Sequence, residues 1–246
     1  MPSFWRHVNR VLEQSDIIIE VLDARSIEDT RHPEIERKVL QSGKKLLYVI
    51  TKCDLVEIDQ LKKDRKDLRP SIFISSREHL GTTLLKKKIL ALSHGENVVV
   101  GIVGYPNVGK SSLINALAGR GAARTSSESG FTKGLQKIRV DRKIVLLDTP
   151  GVFPLKEKGN ADIKHGKTGA IDYAKIKDPE AAAIGLIKEK KQLICDYYQV
   201  SGKNSQDILE QVGYKIKRLQ KGGQPDLEST SRLILRDWQT GKMSKK

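Results

Sequence analysis

A doubly wound, mainly parallel α/β sheet followed by a small all-helical region is the fold class that the sequence predicts. Three observations predict it. From about residue 16 to residue 148, aliphatic and β-branched runs of strand length alternate with helical patterns. An octad bounded by glycines and a lysine, residues 104–111, stands between one such run and a helical pattern. Beyond residue 178 the strand-like runs cease and apolar residues recur at helical spacing.

The elements follow in order. Residues 4–14 are amphipathic, and Ile17-Ile18-Ile19-Glu20-Val21-Leu22 reads as a buried strand. Pro33 suits a first helical position because its ring fixes φ. Lys45–Thr51 is a second strand, 59–67 a helix, 71–74 a third strand and 84–92 the helix after it. A fourth strand over 97–103 runs into the octad, and a helix opens at Lys110 and ends near Ala118. Two strands near 135–140 and 142–147 end at Asp148. Residues 152–177 hold glycine and lysine with little apolar period and read as a mobile loop. Asp178-Pro179-Glu180 is a helix start, with Asp as the cap. Ile208, Val212, Ile216 and Leu219 share one later helix face, and after the Gly222-Gly223 break Leu227, Thr230, Ile234 and Trp238 share another. Three segments result: a motif-bearing domain over 1–155, a switch and linker over 156–178, and a helical domain over 179–246.

The 246 residues carry a net charge of +15. Basic residues exceed acidic ones 26 to 18 in residues 1–155 and 19 to 12 in 156–246. An excess on both segments favours a polyanionic partner such as RNA. Lys86-Lys87-Lys88 reads as a solvated helix face, whereas Lys215, Lys217, Arg218 and Lys221 are placed together on a terminal helix with little acidic compensation and are candidates for phosphate contact. The two cysteines, Cys53 and Cys195, have neither metal-ligand spacing nor a disulfide pattern. The apolar runs are strand-sized, so neither a signal peptide nor a membrane span is expected, and a cytoplasmic monomer is. His79, His94 and His165 fall in expected loops as surface residues, and both Trp5 and Trp238 suit helix faces turned to a core.

The octad Gly104-Tyr105-Pro106-Asn107-Val108-Gly109-Lys110-Ser111 has the composition of a loop that wraps phosphate with backbone N–H groups. Lys110 would reach the β- and γ-phosphates, Ser111 would hold Mg²⁺, and Ser112 follows at the helix start. Downstream, Asp148-Thr149-Pro150-Gly151 closes an apolar run; Asp148 would contact Mg²⁺ and the Gly151 N–H would sense the γ-phosphate. Between them, 125–134 suits a switch loop. Thr132 is the leading second Mg²⁺ ligand there, with Thr125 and Ser129 as competitors. Upstream, Thr51-Lys52-Cys53-Asp54 ends a strand. The Asp54 carboxylate can accept two hydrogen bonds from the guanine edge, a pair that adenine cannot donate, and the Lys52 stem can cover the ring. Ser75-Ser76-Arg77 ends the next strand, where a backbone N–H could meet the guanine oxygen.

A base-reading motif about fifty residues before the phosphate loop is the unusual feature. With Asp23-Ala24-Arg25, Arg31-His32-Pro33 and Gly130-Phe131-Thr132-Lys133, this order resembles the circularly permuted GTPases of the YlqF/YawG type over residues 16–151. Gly222–Trp238 also resembles the end of that family's C-terminal helical domain. The resemblance implies a Ras-like core, GTP or GDP, Mg²⁺, and a helical domain that engages ribosomal RNA in large-subunit assembly. Two departures stand out. Thr51 replaces the usual Asn of the base-reading tetrad. Val152 follows Gly151 where Ras-like enzymes place a water-orienting Gln, which implies slow intrinsic hydrolysis. Related enzymes with such a substitution use K⁺ held partly by a loop Asn, and Asn107 matches that position. The alternatives are a GTPase acting on tRNA and a regulatory G protein binding a protein partner.

Overall fold

The computed structural model describes residues 3–64, 67–119, 136–148 and 161–243, and its contacts divide the chain into two units, Met1–Lys156 and Glu157–Lys246. The first is an α/β unit. It runs α1 (Ser3–Gln14), β1 (Ile17–Asp23), α2 (Ile27–Thr30), α3 (Pro33–Gln41), β2 (Lys45–Thr51), a 3₁₀ turn at Cys53–Leu55, α4 (Ile58–Asp64), β3 (Ser71–Phe73), α5 (Thr82–Leu92), β4 (Val98–Gly104), α6 (Lys110–Ala118), β5 (Gln136–Arg139) and β6 (Ile144–Asp148). The strands form one sheet in the order β3-β2-β1-β4-β6-β5, with β5 antiparallel to β6 and the other pairs parallel.

Every residue of β1 is buried, as expected for a central strand covered on both faces. From β1 the chain moves outward through β2 to β3. It then returns to β4 on the other side of β1, reaches β5 at the far edge and comes back to β6, which lies between β4 and β5. The crevice at the carboxyl ends of β1 and β4 is therefore the topological switch point, the place where such sheets bind ligands. The registers align the motif-bearing ends: Asp23 lies opposite Thr51, and Val21 opposite Gly104. Val8, Val11 and Leu12 form the buried stripe of α1, which closes on β4 at Gly101. A Cβ on Gly101 would lie 2.4 Å from Val11 Cγ1 and 2.5 Å from Ser15 Oγ, so the glycine sets how closely helix and sheet approach. The short α2 was not expected, because four residues show no period.

The second unit is helical among the described residues: α7 (Ala161–Thr168), α8 (Pro179–Glu189), α9 (Lys191–Tyr198), α10 (Ser205–Lys215) and α11 (Leu227–Gln239). Three starts are capped, with Asp178 accepting from the Ala181 N–H at 3.0 Å, Asn204 from Asp207 at 2.9 Å and Asp226 from Ser229 at 3.0 Å. Ile208, Val212, Ile234 and Trp238 are in its core, so the two predicted helix faces meet there. No helix among the described residues is long and apolar enough to cross a membrane.

Three expectations need correction. The loop expected over 152–177 contains α7, and residues 152–160 lie outside the described residues. That helix had no visible apolar period because it packs through Gly166, where a Cβ would lie 3.0 Å from that of Ala182. It also packs through the buried Lys167, whose Nζ is 2.7 Å from Glu189 Oε1 and whose carbonyl accepts from Trp238 Nε1 at 2.6 Å. His165 accordingly sits half-buried on α7 and not in a loop. Lastly, α10 stops at Lys215. Lys217 takes φ 58°, Leu219 is exposed and bridges Pro225, and the Gln220 N–H donates to the Gln224 carbonyl at 2.8 Å. The expected basic helix is a hairpin with Gly222 and Gly223 at its tip, both at positive φ.

Candidate functional site

The strand ends bring the predicted motifs together around the phosphate loop. Gly104 leaves β4 at φ 151°, and a Cβ there would lie 2.6 Å from the Val21 carbonyl of β1. Only glycine allows the loop to leave beside its neighbour strand. Asn107 adopts φ 59°, Gly109 caps α6 at φ 108°, and Tyr105, Pro106 and Val108 are buried. Lys110 opens α6 and folds back, its ammonium 3.0 Å from the Gly104 carbonyl and 2.6 Å from that of Tyr105. Burial lowers this ammonium to about 8, and the nearby Asp148 carboxylate opposes the shift. Asp148 itself is buried at the end of β6. Ser111 is half-buried and Ser112 exposed on the first turn of α6.

The tetrad Thr51–Asp54, expected to read the base, is tied to this loop from the other side. Thr51 Oγ1 lies 2.5 Å from the Val108 carbonyl and 2.9 Å from that of Leu22. A hydroxyl has one proton, so the two carbonyls share it, where an Asn amide would offer two. Lys52 stands in the left-handed region at φ 57°, and its ammonium donates to the Asn107 carbonyl at 2.8 Å. Asp54 is half-buried in the 3₁₀ turn that follows, and the Cys53 N–H donates to the Ile74 carbonyl at 3.3 Å, which ties this turn to the next strand end. There Ser75 is buried and exchanges backbone bonds with Leu80, while Ser76 is half-buried and Arg77 exposed. Thr125, Ser129, Thr132, Gly151 and Val152 lie outside the described residues.

Three features of the site went unread in the sequence. His32 is buried and stacks on the loop residue Tyr105, with ring centroids 4.3 Å apart. The His32 N–H donates to Glu20 Oε1 at 2.7 Å. Glu20 is wholly buried on β1; burial, and then the charge of Glu36, push its carboxyl up to about 8. Glu36 in turn receives both forks of Arg31 at 2.9 Å and the Tyr48 hydroxyl at 3.0 Å. Finally, Asp23 holds Arg25 and Lys52 together. A lone Glu within an aliphatic run was the available signal for the buried network.

Lys215 at the end of α10 and Lys217 and Lys221 in the hairpin after it are exposed. Arg218 is not available in the same way, because its guanidinium donates to Ser229 Oγ at 2.7 Å and closes the hairpin onto α11.

Comparison with known proteins bears on the fold and on nucleotide binding. A family model described as "50S ribosome-binding GTPase" matches residues 99–210. An uncharacterized GTP-binding protein of Methanocaldococcus jannaschii is 38% identical over 96% of this chain and 65% of its own length. A nuclear GTP-binding protein of Saccharomyces cerevisiae is 33% identical over 95% of this chain and 54% of its own. The chain thus spans roughly half to two thirds of the curated relatives it matches. Among solved structures, GNP-bound YlqF from T. maritima superposes with a TM-score of 0.69 at 24% identity, covering 98% of this chain and 95% of that one. GDP-bound YlqF gives 0.70 at 24% identity, covering 97% and 96%. The chain therefore shares the fold of YlqF, with the Thr51–Asp54 strand end standing before the loop at 104–111 in a six-stranded sheet.

Proposed function

We propose that the protein is a GTP-binding and GTP-hydrolysing switch that acts, as a cytoplasmic monomer, on the large ribosomal subunit or its precursor. The observation that carries the reading is the joining of Thr51 and Lys52 to the phosphate loop, which sets Asp54 at one end of the switch-point crevice and Lys110 at the other. Asp54 selects guanine, and Lys52 covers the ring. The Ser75 N–H is taken by Leu80 at 3.3 Å, so Ser76 and Arg77 supply the amide for the guanine oxygen. Some of the relatives are named nuclear or nucleolar GTP-binding proteins, and the matching family model is described as ribosome-binding, which supports the partner.

The residues fit Mg²⁺. Ser111 offers a hydroxyl and Asp148 a buried carboxylate whose charge already acts on Lys110, both hard oxygen donors of the kind Mg²⁺ takes. Thr132 would complete the set. Bound Mg²⁺ supplies positive charge to the phosphates as they separate. The Gly151 N–H would report the γ-phosphate. With Val152 unable to orient water, Asn107 would hold K⁺ to supply the missing charge. Hydrolysis is expected to be faster in K⁺ than in Na⁺, and equal rates in the two salts, or full stimulation in Asn107→Ala, would remove this part of the proposal.

The RNA contact is assigned to the end of α10 and the hairpin after it, through Lys215, Lys217 and Lys221, with Arg218 bracing the hairpin. Co-sedimentation with large subunits, small subunits and tRNA, in GDP or a non-hydrolysable GTP analogue, tests the whole reading. Selective, salt-sensitive binding to large-subunit particles in the GTP-like state is the expected result. Preference for tRNA favours the tRNA reading, and salt-insensitive protein binding favours the regulatory one.

A further inference from the structure

Asp23, to which the nucleotide reading assigns no contact, is heavily engaged among the described residues. It ends β1 and is 1% exposed. Its Oδ1 accepts from the Arg25 N–H and from Arg25 Nε, each at 3.0 Å, and its Oδ2 accepts from Arg25 Nη2 at 2.7 Å. The same Oδ2 accepts from Lys52 Nζ at 2.8 Å, and that ammonium donates onward to the Asn107 carbonyl at 2.8 Å. Two non-glycine residues in the left-handed region, Lys52 at φ 57° and Asn107 at φ 59°, are therefore joined through one ammonium group. Such a conformation persists only where its surroundings hold it.

A lysine head on a four-carbon stem has much rotamer freedom to lose, and a carbonyl alone binds it weakly. The carboxylate supplies the missing restraint. Burial alone would push the Asp23 carboxyl up, but Arg25, and after it Lys52, outweigh burial and hold it well below the usual carboxylate range. Arg25 thus keeps the anion charged in a buried place, and the anion keeps Lys52 where the base is to stack.

Resting on the guanine-nucleotide reading above, we infer that Asp23 is a positioning residue for nucleotide binding. Its carboxylate fixes Lys52, and through Lys52 the Asn107 carbonyl, so that the base-reading turn and the phosphate loop are assembled as one unit before nucleotide arrives. It acts through Lys52 and touches no part of the nucleotide.

A double-mutant cycle separates this from a plain structural role. Affinity for a fluorescent GDP and a fluorescent non-hydrolysable GTP analogue is measured in wild type, Asp23→Asn, Lys52→Met and the double variant. Melting temperature without nucleotide is followed in parallel. Asp23→Asn is expected to weaken both ligands about tenfold in the wild-type background, in line with a lost charge-assisted bond. In the Lys52→Met background its effect should shrink to less than about twofold, since no ammonium remains to be placed. An equal loss in both backgrounds, or wild-type affinity in Asp23→Asn, overturns the inference. If Asp23→Asn does not fold, Asp23→Glu carries the same cycle, keeping the charge while displacing it by one methylene. A wild type that binds neither ligand refutes the guanine-nucleotide reading instead, a result distinct from a wild type that binds and a variant that binds equally well.

Discussion

Lys110, proposed to meet the nucleotide phosphates, carries an energetic burden in the free protein. Its ammonium is enclosed with two carbonyls, and burial depresses it from 10.5 to about 8 against the pull of Asp148. A polyphosphate beside it favours the charged form and raises that value again. Linkage gives the sign. Below pH 8 the free protein already holds the proton, so affinity is flat. Above pH 8 binding must take up a proton, and affinity falls by up to about tenfold per pH unit until the complex itself titrates. Calorimetry at pH 8.5 in two buffers of different ionisation heat should therefore show proton uptake on GDP binding, and equal heats would contradict it. Positions at the strand ends were legible where residue type and spacing coincide, as for Lys52, Asp54 and Lys110. Asp23, Glu20 and His32 were not legible in this way. Their roles depend on partners 29, 12 and 73 residues away in the chain, and no local pattern reports such distances.

At the scale of elements, closeness of approach decides more than propensity. The α1 helix meets β4 at Gly101, where a side chain would run into Val11, Ser15 and Ile18. Gly101→Ala should destabilise the α/β unit by about 1–3 kcal/mol, the usual cost of overpacking. Adding Val11→Ala should restore part of the loss, since it opens the space the new methyl needs; denaturant unfolding of the three variants checks this. Strand and helix periods made most of this unit readable, and β2 and α6 were predicted to the residue. The helical unit was read less well for a related reason. Contacts through Gly166, Lys167 and a backbone carbonyl carry no apolar rhythm, so α7 looked like a loop. The hairpin after α10 was hidden by its apolar residues, since Leu219 continues the period of Ile208, Val212 and Ile216 while standing exposed. Periodicity alone cannot tell a buried stripe from one that overruns its helix.

For the molecule as a whole, motif order was the decisive clue and sheet order its physical counterpart. The charge of +15 is carried partly by lysines exposed at the end of α10 and on the hairpin after it, which is the observation behind the proposed polyanionic partner. The placing of β4 beside β1 has a consequence for how the protein is made. Some eighty residues separate Asp23 from Gly104, so at about 5–20 residues per second several seconds pass between the emergence of the two strands. During that interval the newborn β1, with three consecutive isoleucines, has β2 on one flank and an open ladder on the other. The strand that closes that ladder also delivers the phosphate loop. Protection from misassociation and competence to bind nucleotide therefore arrive in the same step of synthesis.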